Sequence, residues 1–205
     1  MPNFFSSFQM LSVGVVLLLI TLVVSRQNRD SRSGLVWGWG LVTGLFFYMG
    51  LDDATKLHER LGTVFSVLVT GPEDQPNPGF WGQLYDCFPS YTRRLIFGPI
   101  VAAAGLFVVV FLMRQLPALY LKLLVCAALG LFATAMGMDF VEGMENGIMI
   151  SVADVFSTFP DRAIHFSKSI EEFLEMAGTT ISLFVFLKTL MRITPSISFD
   201  FSGQE

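Results

Sequence analysis

Ten acidic and histidine side chains gather at the ends of three apolar segments: Asp52, Asp53, His58, Glu59, Asp139, Glu142, His165, Glu171, Glu172 and Glu175. One segment closes on Asp52-Asp53-Ala54-Thr55-Lys56-Leu57-His58-Glu59 and a second on Asp139-x-x-Glu142-x-x-Glu145. A third opens on His165-x-x-Lys168-x-x-Glu171-Glu172-x-x-Glu175. Carboxylates and imidazoles supplied by several helices are the ligands of divalent-metal centres in helical bundles. Acids inside a membrane also mark proton and cation routes. A third reading is structural. Lys56, Arg60, Arg93, Arg94, Arg162 and Lys168 share that side of the chain and would neutralise the acids as interhelical ion pairs. The Glu-x-x-His pairs of a di-iron bundle do not occur.

Helical spacing groups these residues into faces. Asp52, Lys56 and Glu59 share one stripe, while His58 lies about 120° away at 100° per residue. Asp139 and Glu142 share a face, as do Glu171 and Glu175, Glu172 and Glu175, and His165 and Glu172. A b-type haem held by His58 and His165 ranks below the metal reading, and no c-type attachment motif exists. Neither a phosphate-binding loop nor a nucleophile elbow is present. The formal net charge of −4, with no basic patch, argues against nucleic acid as a partner.

The elements that position these groups follow from composition. The chain has 205 residues, 53% hydrophobic and 15% charged, with a mean hydropathy of +0.61. A soluble domain carries about 25% charged residues, so this excess of apolar residues needs an apolar solvent. Five runs are long enough to cross a hydrocarbon core about 30 Å thick. The pattern predicts one all-α domain over 1–205, a bundle of about five transmembrane helices. The helices are expected near 8–25, 34–60, 94–114, 118–145 and 163–192. The first run has no basic residue before it and no small-residue cleavage site after it, so it reads as a retained helix. Cys126 in the fourth run and Cys87 in a polar loop read as free thiols.

Counted from the basic end of each helix, Asp52, Asp139 and Glu171–Glu172 fall at the opposite membrane boundary, with Glu175 about one turn deeper. The carboxylates of the second, fourth and fifth helices are therefore expected to converge at matching depth. Gly34, Gly38, Gly40 and Gly44, and Ala127, Gly130, Ala133 and Gly137, form small-residue stripes suited to close helix packing. The tight 115–117 connection predicts antiparallel neighbours. Arg26, Arg29 and Arg32 follow the first helix, which puts the N-terminus outside and the C-terminus in the cytoplasm of an inner (plasma) membrane. Of the seventeen acids, only Asp30, Asp200 and Glu205 then fall on the inner side.

Leu-Asp-Asp-x-x-x-Leu-His-Glu from Leu51 and Ile-Glu-Glu-Phe-Leu-Glu-Met-Ala-Gly from Ile170 resemble elements of an uncharacterised family of bacterial multi-pass membrane proteins. Those proteins carry Asp-Glu-x4-His-Glu and Glu-Glu-x-x-Glu-Met-x-Gly. The match covers about a fifth of the chain and departs at Asp53, where the family pattern has glutamate. The resemblance implies a shared polar site built from Asp52, Asp53, His58, Glu59, Glu171, Glu172 and Glu175, and no particular activity. Two functional expectations stand side by side. One is a carboxylate–histidine site at the outer membrane face that binds a divalent metal for transport, sensing or metal-dependent chemistry. The other is a non-enzymatic accessory subunit, with the acids in structural ion pairs and the apolar surface against lipid and other membrane subunits.

Overall fold

A hydrocarbon solvent leaves the backbone no partner but itself, and helices satisfy every N–H and C=O within one segment. The computed structural model describes residues 2–27, 33–55, 60–61, 64, 92–142 and 160–194, and among them there is no strand. Five helices follow in order: α1 Pro2–Gln27, α2 Ser33–Thr55, α3 Thr92–Gln115, α4 Leu119–Glu142 and α5 Pro160–Ile193. Each contains a stretch long and apolar enough to cross a membrane. The chain is a multi-pass, all-α membrane protein.

α1 begins six residues before the expected start, because Ser6 and Ser7 are buried inside the bundle and extend its packed face beyond the purely apolar run. α2 is described to Thr55, and α4 to Glu142; His58, Glu59 and the segment 143–159 lie outside the described residues. α3 carries Pro99 in its interior without ending. The proline costs one backbone hydrogen bond, which transmembrane helices tolerate where local adjustments compensate.

α1 is the central helix, packed between α2 and α5, and α4 lies on the far side of α5. The core forms where these faces meet. Val13, Leu17 and Ile20 of α1 pack with Val42 of α2 and with Val185 and Phe186 of α5. On α4 the buried face is Leu121, Val125, Ala128 and Ala135, at helical spacing. α3 leads into α4 through the short turn at Leu116–Ala118, yet it packs against α4 only thinly, and 11% of its span is buried. It also touches α2, where Phe111 meets Trp39 edge-on at 5.3 Å between ring centroids.

The small-residue stripes do not mark the helix interfaces. A Cβ added at Gly34, Gly40, Gly44, Gly130 or Gly137 would meet nothing within 4 Å, and Ala127 and Ala133 are exposed. Close approach occurs elsewhere. Gly178 of α5 lies where a Cβ would be 3.1 Å from the Ala128 carbonyl oxygen of α4. Gly14 faces the Phe47 ring at 3.1 Å and Gly50 faces Leu11 at 3.0 Å by the same measure, which holds α1 and α2 together. Within the stripes, Gly38 alone is tight, against the Phe111 ring. Glycine on a lipid-facing surface needs no packing reason, since it is common in transmembrane helices.

Candidate functional site: a polar layer at one end of the bundle

Side-chain contacts fix which helix ends share a membrane face. Ser7 near the start of α1 meets Asp53 near the end of α2, and Gln27 at the end of α1 meets the Ile193 carbonyl at the end of α5, at 3.2 Å. The carboxylates thus lie at the end formed by the start of α1 and α5 and the finish of α2 and α4. At the other end the described charged side chains are Arg26, Arg114, Lys122, Lys188 and Arg192, all basic.

The faces of α1 build the site. Ser7, Leu11, Gly14 and Thr21 look toward α2, with Thr21 and Thr43 hydroxyls 3.0 Å apart. Gln9 and Gln27 look toward α5. Between these faces runs the buried stripe Ser6, Met10, Val13, Leu17, Ile20 and Val24. One end of that stripe is polar. Ser7 Oγ donates to Asp53 Oδ2 at 2.8 Å, and Gln9 Nε2 donates to Thr180 Oγ1 at 3.3 Å. Ser6 Oγ and Gln9 Oε1 are buried and have no hydrogen-bond partner among the described residues. Thr179, 1% exposed, donates to the Glu175 carbonyl at 2.8 Å, and Ser182 donates to the Gly178 carbonyl at 2.9 Å. Toward the middle of the membrane, Phe46 of α2 and Phe186 of α5 meet edge-on at 5.8 Å. The polar layer therefore stands over an apolar floor.

Only part of the expected site lies in this layer. Asp53 is in it, half-buried and tied to α1. Asp52 lies beside it on the last turns of α2. Glu175 is five residues before Thr180, about 7 Å further toward the membrane face, and Glu171 and Glu172 are further out still. His165 is exposed and about 22 Å beyond Thr180 along α5. Along α5 the described carboxylates are thus spread in depth, with Glu175 the nearest of them to Thr180. Asp52, Glu171 and Glu175 are all engaged in interactions. Asp139 and Glu142 belong to the last turn of α4, and their side chains, like His58 and Glu59, lie outside the described set. Among the described residues, no three His, Cys, Asp or Glu side chains come together as a metal-binding group.

Three contributors escaped the sequence reading: Ser6, Ser7 and Gln9. Ser6 and Ser7 precede Phe8, where the first apolar run begins, and Gln9 directly follows it, so all three look like a polar lead-in. Their signal is the helical register, since Ser6 continues the stripe of Met10, Val13 and Leu17 at intervals of three and four.

No curated protein and no solved structure matches the chain. A family model described as Domain of unknown function (DUF8692) matches residues 1–190. That match takes in all five helices almost to the end of α5, and with them the whole polar layer, so the chain belongs to the DUF8692 family.

Proposed function

We propose that this is a non-enzymatic accessory protein of the membrane, whose acidic end is a polar lock between helices and whose apolar outer surface docks against lipid and other membrane subunits. The observation that carries this reading is the Ser7–Asp53 hydrogen bond. A carboxylate on the last turn of α2 is directed at a hydroxyl of the central helix. A charge at such a depth is costly, and a donor on a neighbouring helix offsets the cost only when the two helices stay in register. α3, thinly attached and mostly exposed, supplies much of the outer surface. The expected topology belongs to the same proposal, with the N-terminus outside and the C-terminus in the cytoplasm of a bacterial inner membrane. So does the likeness to uncharacterised bacterial multi-pass proteins.

A second reading is a divalent-metal site, and one observation favours it. Ser6 Oγ and Gln9 Oε1 are buried oxygens with no hydrogen-bond partner among the described residues, in the layer that holds Asp53, and hard cations take carboxylate, amide and hydroxyl oxygens. In that reading Asp52, Asp53 and the residues of the second helix end, His58 and Glu59, would complete the set. Elemental analysis of the purified protein separates the two. The lock needs no stoichiometric metal, whereas one metal per chain that survives desalting and disappears in Asp53→Asn would replace it with the metal site.

A further inference from the structure

The first turn of α2 and the last turns of α3 border a common space toward the basic end of the bundle, beside the Trp39–Phe111 contact. Between them lies an open groove of about 600 Å³. One wall is the face of α3 from Ala103 to Val110, and the other is Gly34 and Leu35 in the first turn of α2. Its polar residues, Arg114 and Gln115, stand together at the last turn of α3. Arg114 is exposed.

We propose that this groove holds one acyl chain of an anionic phospholipid, with the lipid phosphate on Arg114. The inference rests on the chain being embedded in a bilayer and is independent of the polar layer. Three observations point to this occupant. From Ala103 to Arg114 is eleven residues of helix, about 16 Å, which is half of a hydrocarbon core about 30 Å thick. The groove is therefore one leaflet deep, with its cation at headgroup level. Its lining below Arg114 is apolar, as a lipid tail requires. The described charges at this end of the bundle are all basic, so the local field selects an anionic headgroup over a zwitterionic one. A guanidinium presents paired N–H groups that match two phosphate oxygens, the geometry for a bound lipid as opposed to a diffuse attraction.

The test uses the full chain, purified in detergent, exchanged into nanodiscs of phosphatidylglycerol or phosphatidylcholine, and released for native mass spectrometry. The wild type is expected to retain one phosphatidylglycerol and to lose phosphatidylcholine. Arg114→Gln should weaken retention about tenfold, the effect of one lost charge-assisted contact. Gly34→Leu should abolish it by filling the groove, because a Cβ at Gly34 meets nothing within 4 Å and the new side chain has room. Ala103→Trp fills the groove from the α3 side and serves if Gly34→Leu misfolds. Lys188→Gln removes a charge at the same end, outside the groove, and should leave retention unchanged. Equal losses in Lys188→Gln and Arg114→Gln, with no effect of either groove-filling variant, would mean diffuse attraction and overturn the proposal. Equal retention of the two lipids would also overturn it. So would a dimer that Gly34→Leu disperses while lipid retention stays the same, since a second copy would then be the occupant.

Discussion

Ser7 and Asp53 offer a direct measure of what the polar layer contributes. The bond joins α1 to α2 across 46 residues, at 2.8 Å, with Ser7 buried and Asp53 half-buried. A hydrogen bond to a charged group contributes about 1.5–3 kcal/mol in soluble proteins. Between transmembrane helices the measured couplings average about 0.6 kcal/mol and reach about 1.7, because helices unfolded within the membrane still find partners. Asp53 is a carboxylate, so its coupling to Ser7 should fall in the upper part of that range, about 1–1.7 kcal/mol. Ser7→Ala, Asp53→Leu and the double variant complete a mutant cycle, read by SDS titration in mixed micelles with helical circular dichroism as the signal. Asp53→Leu taken alone mixes two effects, since leucine also partitions better into lipid. The coupling term removes that ambiguity. A coupling indistinguishable from zero would refute the reasoning that this bond locks the two helices.

Three further outcomes follow from the packing and the charge pattern. Gly178→Leu should destabilise the protein by more than about 2 kcal/mol, because the new side chain meets backbone of α4 at Ala128, whereas Gly130→Leu, facing open space, should unfold within about 0.5 kcal/mol of wild type; equal unfolding midpoints would contradict the described α4–α5 contact. Gly38→Ala should cost about 1–2 kcal/mol, since Phe111 must leave its place on Trp39, and the near-ultraviolet circular dichroism of Trp39 should change with it. Cysteine at positions 77 and 154, in a Cys87→Ser and Cys126→Ser background, should react with an impermeant maleimide in intact cells at both sites; reaction at one alone would break the five-span topology.

The five helices were legible because each must cross the same apolar thickness, and a run of about 20 apolar residues announces that demand locally. Which faces pair was not legible. In a membrane the lipid-facing surface and the helix interface are both apolar, so periodicity cannot separate them as it does in water. Gly130 and Gly178 show the consequence: both are glycines in apolar runs, but one faces open space and the other the backbone of α4. The acids were visible for the opposite reason, as charges in apolar surroundings. Asp53 could be singled out from the sequence, but Ser7 could not, because its partnership depends on how α1 and α2 dock. Depth along α5 likewise depends on how it docks on α1, since the Gln9–Thr180 bond sets which turn of α5 meets the start of α1.

Thermal unfolding with and without a strong chelator tests the central claim, that the carboxylates lock helices and do not hold an ion. Wild type, Ser7→Ala and Asp53→Leu would each be melted in the same detergent, with and without EDTA, and with added manganese or calcium. A bound ion at a hundred times its dissociation constant would stabilise the fold by about 2.7 kcal/mol. The account predicts that Ser7→Ala melts below wild type, and that chelator and added ion leave every midpoint where it was. A wild type that falls on chelation and recovers with added ion, beside an Asp53→Leu variant that responds to neither, would contradict it.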